Sequence, residues 1–275
     1  MIAEINRKKD FLLCVDSDGC AIDSMNEKHI RAFCPELIRV YNLQAHEKLI
    51  TDFWMKINLF SATRGINRFK GLSATLCMLA ENGIETEGWQ DMRDFVKSAK
   101  VLSNAALEAA IALAPSKGLE RALEWSLSVN KAISALGDGK PFSGCKEALE
   151  GMHQDMDIAV VSSANGGAVE HEWAVHGLSE HTDIRYGQEA GTKADCIKKL
   201  LQSGYAQNHV LMVGDALGDL DAAKQNGVLF YPILVGSEQE SWQTLLQEAK
   251  LRFLGETYVG EYENQWIGKI KDILK

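Results

Sequence analysis

Two carboxylates stand at the end of an apolar run near the start of the chain. The run Phe-Leu-Leu-Cys-Val, residues 11–15, is typical of a β-strand, and Asp16-Ser17-Asp18-Gly19 follows it directly. Residues i and i+2 of an extended segment project to the same side, so both carboxyl groups can face one pocket. One could attack or bind a metal ion while the other moves a proton, as covalent phosphoryl transfer requires. A plain turn after a strand uses the same residue types, so this stretch alone leaves both interpretations open.

A second group of carboxylates follows another apolar run late in the chain. Residues 210–213, Val-Leu-Met-Val, lead into Gly214-Asp215, and Asp219 comes four residues later. If the turn is helical, Asp215 and Asp219 share one face. Such oxygen ligands suit Mg²⁺, which takes one or two protein carboxylates together with phosphate and water. The alternative is that Asp215 caps the next helix while Asp219 and Asp221 favour the positive end of its dipole.

A hydroxyl and a cation lie between these two groups of carboxylates. Residues 158–161 are apolar and end at Ser162-Ser163-Ala164-Asn165, where a hydroxyl and free N–H groups at a helix start could hold a phosphate. An ordinary serine N-cap is the alternative. Lys193 falls in the first turn of another predicted helix, where a cation opposes the helix dipole unless an anion meets it. A lone lysine is otherwise most often a solvated surface residue.

The order and spacing of the four segments resemble the haloacid dehalogenase superfamily. Its motifs are matched in turn by Asp16-Ser17-Asp18-Gly19 (with Asp23-Ser24 following, as is common), by Ser162, by Lys193, and by Gly214-Asp215 through Asp219. The resemblance is to the phosphatase and phosphoglucomutase branch with a helical cap of the C1 type. Ser17 and Cys20 are not the commonest choices, and Lys193 lacks the proline that often follows it, but every reacting group is present.

This resemblance implies a role for each catalytic residue. Asp16 would be the nucleophile and a Mg²⁺ ligand. Asp18 would be the general acid and base and would also give its backbone carbonyl to the metal. Ser162 would hydrogen-bond the phosphoryl group and Lys193 would neutralise it. The physical chemistry agrees, because Mg²⁺ and the lysine cation both favour the ionised form of Asp16 and reduce its repulsion from a phosphate dianion.

The remaining implied roles concern metal and substrate. Asp215 would bind Mg²⁺ directly, with Asp219 assisting through a water molecule. The loop after Ser162 would contribute to substrate binding through Ser163, Ala164 and Asn165. The resemblance therefore implies a Mg²⁺-dependent phosphatase that hydrolyses a small phosphorylated metabolite through an aspartyl-phosphate.

Composition sets outer bounds on the function. The 275 residues are 46% hydrophobic and 24% charged, which is ordinary for a globular protein. A net charge of −9 without a Lys/Arg run argues against wide nucleic-acid contact. Six scattered cysteines without a C-x-x-C pair favour reduced thiols and a cytoplasmic protein. Neither a signal peptide nor a membrane-spanning run is expected. The predicted partner, a small phosphorylated substrate, is what the family resemblance implies.

The chain alternates strand and helix patterns outside one long insert. Strands are predicted at 11–15, 158–161, 183–186, 210–213 and 229–235, with helices at 144–152, 166–176, 193–202 and 217–226. This alternation predicts an α/β fold with a Rossmann-like parallel sheet and helices on both faces, its site at the carboxyl ends of the strands. We expect residues 1–24 and 139–275 to form the catalytic core, and residues 25–138 an all-helical cap inserted after the first strand.

One stretch of the insert is unusually basic. Residues 61–71 carry three cations and two glycines, and Arg64 beside Gly65 is the residue we expect to bind substrate. A solvated turn between helices is the alternative. Other functions also stay open: a phosphomutase, a phosphonate-cleaving enzyme that would use a lysine such as Lys56, or a non-catalytic binding or regulatory member of the fold.

Overall fold

The structure, a computed structural model, describes residues 4–275. It divides into two compact units, Met1–Ser24 with Asp138–Lys275, and Met25–Gly137. The division falls one residue before the expected boundary, and Asp138 pairs with His171 Nε2 of the same unit at 3.3 Å. Each unit has its own buried hydrophobic core, as a domain does.

The first unit is built on a parallel sheet of five strands. The strands are β1 (Phe11–Val15), β4 (Met156–Val161), β5 (Ile184–Tyr186), β6 (Val210–Gly214) and β7 (Leu229–Pro232). They lie in the order β5-β4-β1-β6-β7, and every neighbouring pair is parallel. The central strands are apolar and buried on both faces, as parallel sheets require. The predicted α/β class with a Rossmann-like sheet is confirmed.

Helices connect these strands and flank the sheet. Numbered along the whole chain, those of the first unit are α8 (Cys145–His153), α9 (Gly166–Val175), α10 (Lys193–Leu201), α11 (Leu217–Asn226), α12 (Glu238–Thr244), α13 (Lys250–Leu254) and α14 (Glu261–Ile273), with a π-helical turn at Leu245–Ala249. Helix α10 begins at a capping box formed by Thr192 and Asp195.

A two-stranded sheet in the first unit was missing from the sequence prediction. Strand β2 (Ile22–Asp23) pairs in antiparallel fashion with β3 (Lys140–Pro141). With two residues a strand, no hydrophobic periodicity can develop, so the pairing is invisible to pattern analysis. It ties the chain leaving the first unit to the chain returning to it.

The second unit, residues 25–137, consists of helices and loops. Its helices are α1 (Met25–Lys28), α2 (Cys34–Val40), α3 (Glu47–Asn58), α4 (Arg68–Glu81), α5 (Trp89–Ser98), α6 (Asn104–Leu113) and α7 (Lys117–Ser134), with a π-helical turn at His29–Phe33. Aromatic rings form the centre of its core: Trp54 and Trp125 meet edge to face with centroids 5.7 Å apart. None of the helices formed by residues 4–275 is long and apolar enough to cross a membrane.

Candidate active site

The sheet places three motif segments side by side. Strand β1 lies between β4 and β6, and Val15 is in register with Val160 on one side and Val213 on the other. Asp16, Ser162 and Asp215 each follow one of these strands within two residues of that level. Because the carboxyl ends of parallel strands share one edge, the three side chains start from neighbouring backbone positions.

An ammonium group joins two of the predicted carboxylates. Lys193 Nζ lies 2.9 Å from Asp16 Oδ2 and 2.5 Å from Asp219 Oδ1. The second oxygen of Asp219 accepts a hydrogen bond from the N–H of Ala216 at 3.1 Å. The lysine in the first turn of α10 therefore does meet anions, which explains why it is placed against the helix dipole.

Burial has the largest effect on the pKa of each of the three charged groups, Asp16, Asp219 and Lys193. Burial raises the pKa of the Asp16 carboxyl well above its usual range, although the Lys193 ammonium lowers it. Burial raises the pKa of Asp219 in the same way, again against Lys193. Burial lowers the pKa of Lys193, but Asp16 and Asp219 more than offset it, and the net pKa is raised. The Lys193 cation alone therefore does not offset the effect of burial on the pKa of either carboxylate.

Three carboxylates converge in a way that fits a divalent cation. Ligand oxygens of Asp16, Asp215 and Asp219 all lie within 4.8 Å of one another, and all three residues are buried. When all are ionised, three negative charges and the one positive charge of Lys193 leave a net charge of −2. Buried charge of this size needs a counter-ion, and a hard dication with oxygen ligands matches both the charge and the donor type.

Asp18 lies in a tight turn that follows Asp16. The turn is closed by Gly19, whose N–H donates to Ile22 O at 2.8 Å and whose φ of 82° favours glycine. Asp18 itself is half-buried, and the hydroxyl of Ser24 donates to its Oδ1. Ser24 belongs to the first motif but had no predicted role. Its contact fixes the orientation of the Asp18 carboxyl group.

The loop after β4 has a different arrangement from the one expected. Ser162 is buried, and its Oγ accepts a hydrogen bond from the N–H of Ala164 at 3.1 Å. The Asn165 side chain caps α9 by accepting from Ala168 N–H, and its amide donates to Glu189 Oε1 at 2.8 Å. Ser163 is exposed. Asn165 is thus committed to the N-cap, and the roles of Ser162 to Asn165 toward substrate remain predictions.

Arg64 does not lie on a solvated surface. Its side chain is buried, and Nη1 donates to the carbonyl of Leu59 at 3.0 Å within the second unit. A guanidinium bound to backbone at the end of α3 stabilises that loop and is not part of a solvated basic face. Substrate binding by Arg64 therefore gains no support from its contacts. Lys56, in α3, is exposed.

Gly214 is required by the position of Asp219. A Cβ added at Gly214 would lie 2.3 Å from Asp219 Cγ, and that carboxylate is held by Lys193 and Ala216. We predict that Gly214→Ala displaces Asp219 and lowers kcat by roughly 10²-fold, as expected for displacement of a catalytic group by about 1 Å. Gly218→Ala is the matched control, because its Cβ would meet no atom of the described chain within 4 Å. Equal kcat values for the two variants would contradict the assignment of Asp219 to the active site.

Comparisons of sequence find similarity over part of the chain. The sequence model of the haloacid dehalogenase-like hydrolases matches residues 99–233, which include Ser162, Lys193, Asp215 and Asp219. A 5′-nucleotidase of Pseudomonas aeruginosa is 34% identical over 102 residues, an alignment that covers 35% of this chain and 46% of that protein. The chain thus spans less than half the length of the curated relative it matches.

Solved structures share the fold at low sequence identity. A haloacid dehalogenase-like family hydrolase from Xanthomonas campestris has a TM-score of 0.52 at 12% identity, covering 93% of this chain and 100% of that one. A predicted phosphoglycolate phosphatase from Haemophilus somnus has a TM-score of 0.51 at 16% identity, covering 80% and 84%. A Bacillus subtilis protein described as the HAD-hydrolase YfnB, bound to magnesium, has a TM-score of 0.50 at 13% identity, covering 87% and 100%.

The fold and site together define a class of protein: a Rossmann-like α/β core with carboxylates and a lysine gathered where its strands end. The family's sequence model matches slightly less than half of the chain, and solved haloacid dehalogenase-like structures share its fold. The resemblance drawn from the motifs is confirmed.

Proposed function

We propose that the chain is a Mg²⁺-dependent phosphatase that hydrolyses a small phosphate monoester through an aspartyl-phosphate on Asp16. The observation that carries this proposal is the Lys193 ammonium held between Asp16 and Asp219 within a buried cluster of three carboxylates. Phosphoryl transfer requires charges of both signs in one buried site, because an anionic nucleophile attacks phosphorus while a cation offsets the charge on the phosphoryl oxygens.

In the first half-reaction, an Asp16 carboxylate oxygen attacks phosphorus and the ester P–O bond breaks. Asp18, whose carboxyl group Ser24 orients, gives its proton to the leaving alkoxide. In the second, Asp18 takes a proton from water, which attacks phosphorus and releases Asp16 and inorganic phosphate. Lys193 keeps Asp16 oriented and offsets charge on the phosphoryl oxygens throughout.

The metal would be held by Asp16 and Asp215, with the Asp18 carbonyl completing the protein ligands and Asp219 assisting through water. When bound, Mg²⁺ would draw charge from the phosphoryl oxygens and favour the ionised form of Asp16, countering the effect of burial on its pKa. The charge of −2 left by the four side chains supports this assignment.

We assign the second unit, Met25–Gly137, as the cap that selects the substrate. Its support is its insertion directly after the first motif and its helical architecture. The local similarity to a 5′-nucleotidase makes nucleoside monophosphates the first substrates to test. A panel of nucleotides, sugar phosphates and small carboxylated phosphate esters, assayed for inorganic phosphate with Mg²⁺, should yield at least one good substrate. Failure on the whole panel, or transfer of phosphate to another hydroxyl without release, would contradict a phosphatase.

Asp18→Asn should slow the enzyme in a way that depends on the leaving group. Loss of a general acid and base is expected to lower kcat by about 10²–10⁴-fold for an alkyl phosphate. The loss should be smaller for the first half-reaction with p-nitrophenyl phosphate, because nitrophenolate leaves without a proton. Burst kinetics on both substrates measure this difference. Asp23→Asn is the control, since Asp23 is exposed in the same segment. Equal losses in the burst phase would remove the general-acid role.

A further inference from the structure

The residue between the two motif aspartates is held by a tryptophan from another part of the chain. Trp173 Nε1 donates to Ser17 Oγ at 2.8 Å, and the two residues are 0% and 1% exposed. Trp173 belongs to α9, the helix that begins just after the Ser162 loop. The hydrogen bond therefore links the first and second motifs inside the buried core of the first unit.

The backbone of Ser17 is equally constrained. Its carbonyl accepts from the N–H groups of Cys20, Ala21 and Ile22, at 3.3, 2.9 and 2.9 Å. On the preceding side, Asp16 N–H donates to Val213 O at 3.0 Å. With its carbonyl and its hydroxyl both bound, Ser17 has little freedom to rotate, and this constrains the backbone positions of the two neighbouring aspartates.

We propose that Trp173 is a positioning residue, which through Ser17 holds Asp16 and Asp18 at the orientation that the reaction needs. The proposal rests on the proposed function, because it assigns the two aspartates their catalytic roles. A shift of the Ser17 peptide would move both carboxyl groups at once, and small displacements of reacting groups cost large factors in rate. A buried hydroxyl and a buried indole N–H each need a hydrogen-bond partner, and here the Ser17 hydroxyl and the Trp173 indole are partners of each other.

A double-mutant cycle separates positioning from simple structural support. Ser17→Ala and Trp173→Phe each leave one buried polar group without its partner, whereas the double variant leaves neither. We expect each single variant to lower kcat by about tenfold to 10²-fold with little change in KM. The loss of Tm in the double variant should be smaller than the sum of the losses in the two single variants. Its kcat should nevertheless stay at least about tenfold below that of the wild type.

Recovery of kcat together with Tm in the double variant would overturn the proposal, because the pair would then matter only for stability. Single variants with lowered Tm and unchanged kcat would do the same. Trp125→Phe is the matched control: its indole is also fully buried and donates to Phe33 O at 3.2 Å, but in the other unit. It should lower Tm and leave kcat on p-nitrophenyl phosphate within about twofold.

Hydrogen exchange keeps this test independent of the proposed function. In Trp173→Phe, the amides of Cys20, Ala21 and Ile22 should exchange faster, because the residue that accepts their hydrogen bonds is no longer held. Exchange at the sheet strands should be unchanged. Unaltered protection of the three amides would overturn the proposal even if the enzyme is active. An inactive wild type with faster exchange in the variant would instead refute only the phosphatase assignment.

Discussion

Asp16→Asn is expected to lower kcat by at least about 10⁴-fold, because an amide cannot attack phosphorus and every later step depends on the covalent intermediate. The fold should survive. The backbone N–H of Asp16 still donates to Val213 O, and Lys193 keeps its ion pair with Asp219. Burial already disfavours the Asp16 charge, as its raised pKa shows, so a neutral isostere is tolerated.

Steady-state kinetics with the purified variant measure this effect. Asp221→Asn is the control, since Asp221 lies exposed on α11 two residues from Asp219 and should retain full activity. Thermal unfolding of both variants excludes misfolding as the cause. Activity above about 1% of the wild-type value in Asp16→Asn, once wild-type contamination is removed, would contradict the nucleophile assignment.

Removal of divalent cations is expected to have an effect of similar size. EDTA should abolish turnover and added Mg²⁺ should restore it, because the site carries a net charge of −2 once its three carboxylates are ionised and would then repel a phosphate dianion. Ca²⁺ should restore little activity, since its larger and looser coordination disturbs the in-line geometry.

A binding measurement tests the same site without catalysis. Mg²⁺ at about 100 times its dissociation constant should stabilise the wild type by about 2.7 kcal/mol, and Tm should rise accordingly. Asp215→Asn should lose most of this shift, whereas Asp221→Asn should keep it. Full activity in chelator, or an equal Tm shift in Asp215→Asn, would contradict the metal assignment.

The sequence predicted the sheet well because its strands are short apolar runs ending at polar clusters. The predicted strand 210–213 is observed as Val210–Gly214, and 158–161 as Met156–Val161, since both are buried on two faces. The β2–β3 pair could not be predicted, because its two residues on each side carry no periodicity.

For the candidate site, the sequence singled out residues by type and spacing but could not show how they contact one another. Spacing indicated that Asp16 and Lys193 both belong to motifs, yet their separation of 2.9 Å depends on long-range packing. For Arg64, a basic stretch between helices is compatible with a solvated turn, but tertiary packing buries the side chain against Leu59. Trp173 gave no signal of its link to Ser17, because an apolar helix core explains a tryptophan equally well.

The aspartyl-phosphate itself offers the most direct test. Wild-type enzyme is mixed with its best substrate, quenched during turnover and reduced with borohydride, which converts an aspartyl-phosphate into homoserine. Peptide mass spectrometry then locates the modified residue. The mechanism predicts homoserine at position 16, dependent on Mg²⁺ and absent from Asp16→Asn. Homoserine at another aspartate, or continued turnover with Asp16 unmodified in every sample, would contradict covalent catalysis by Asp16.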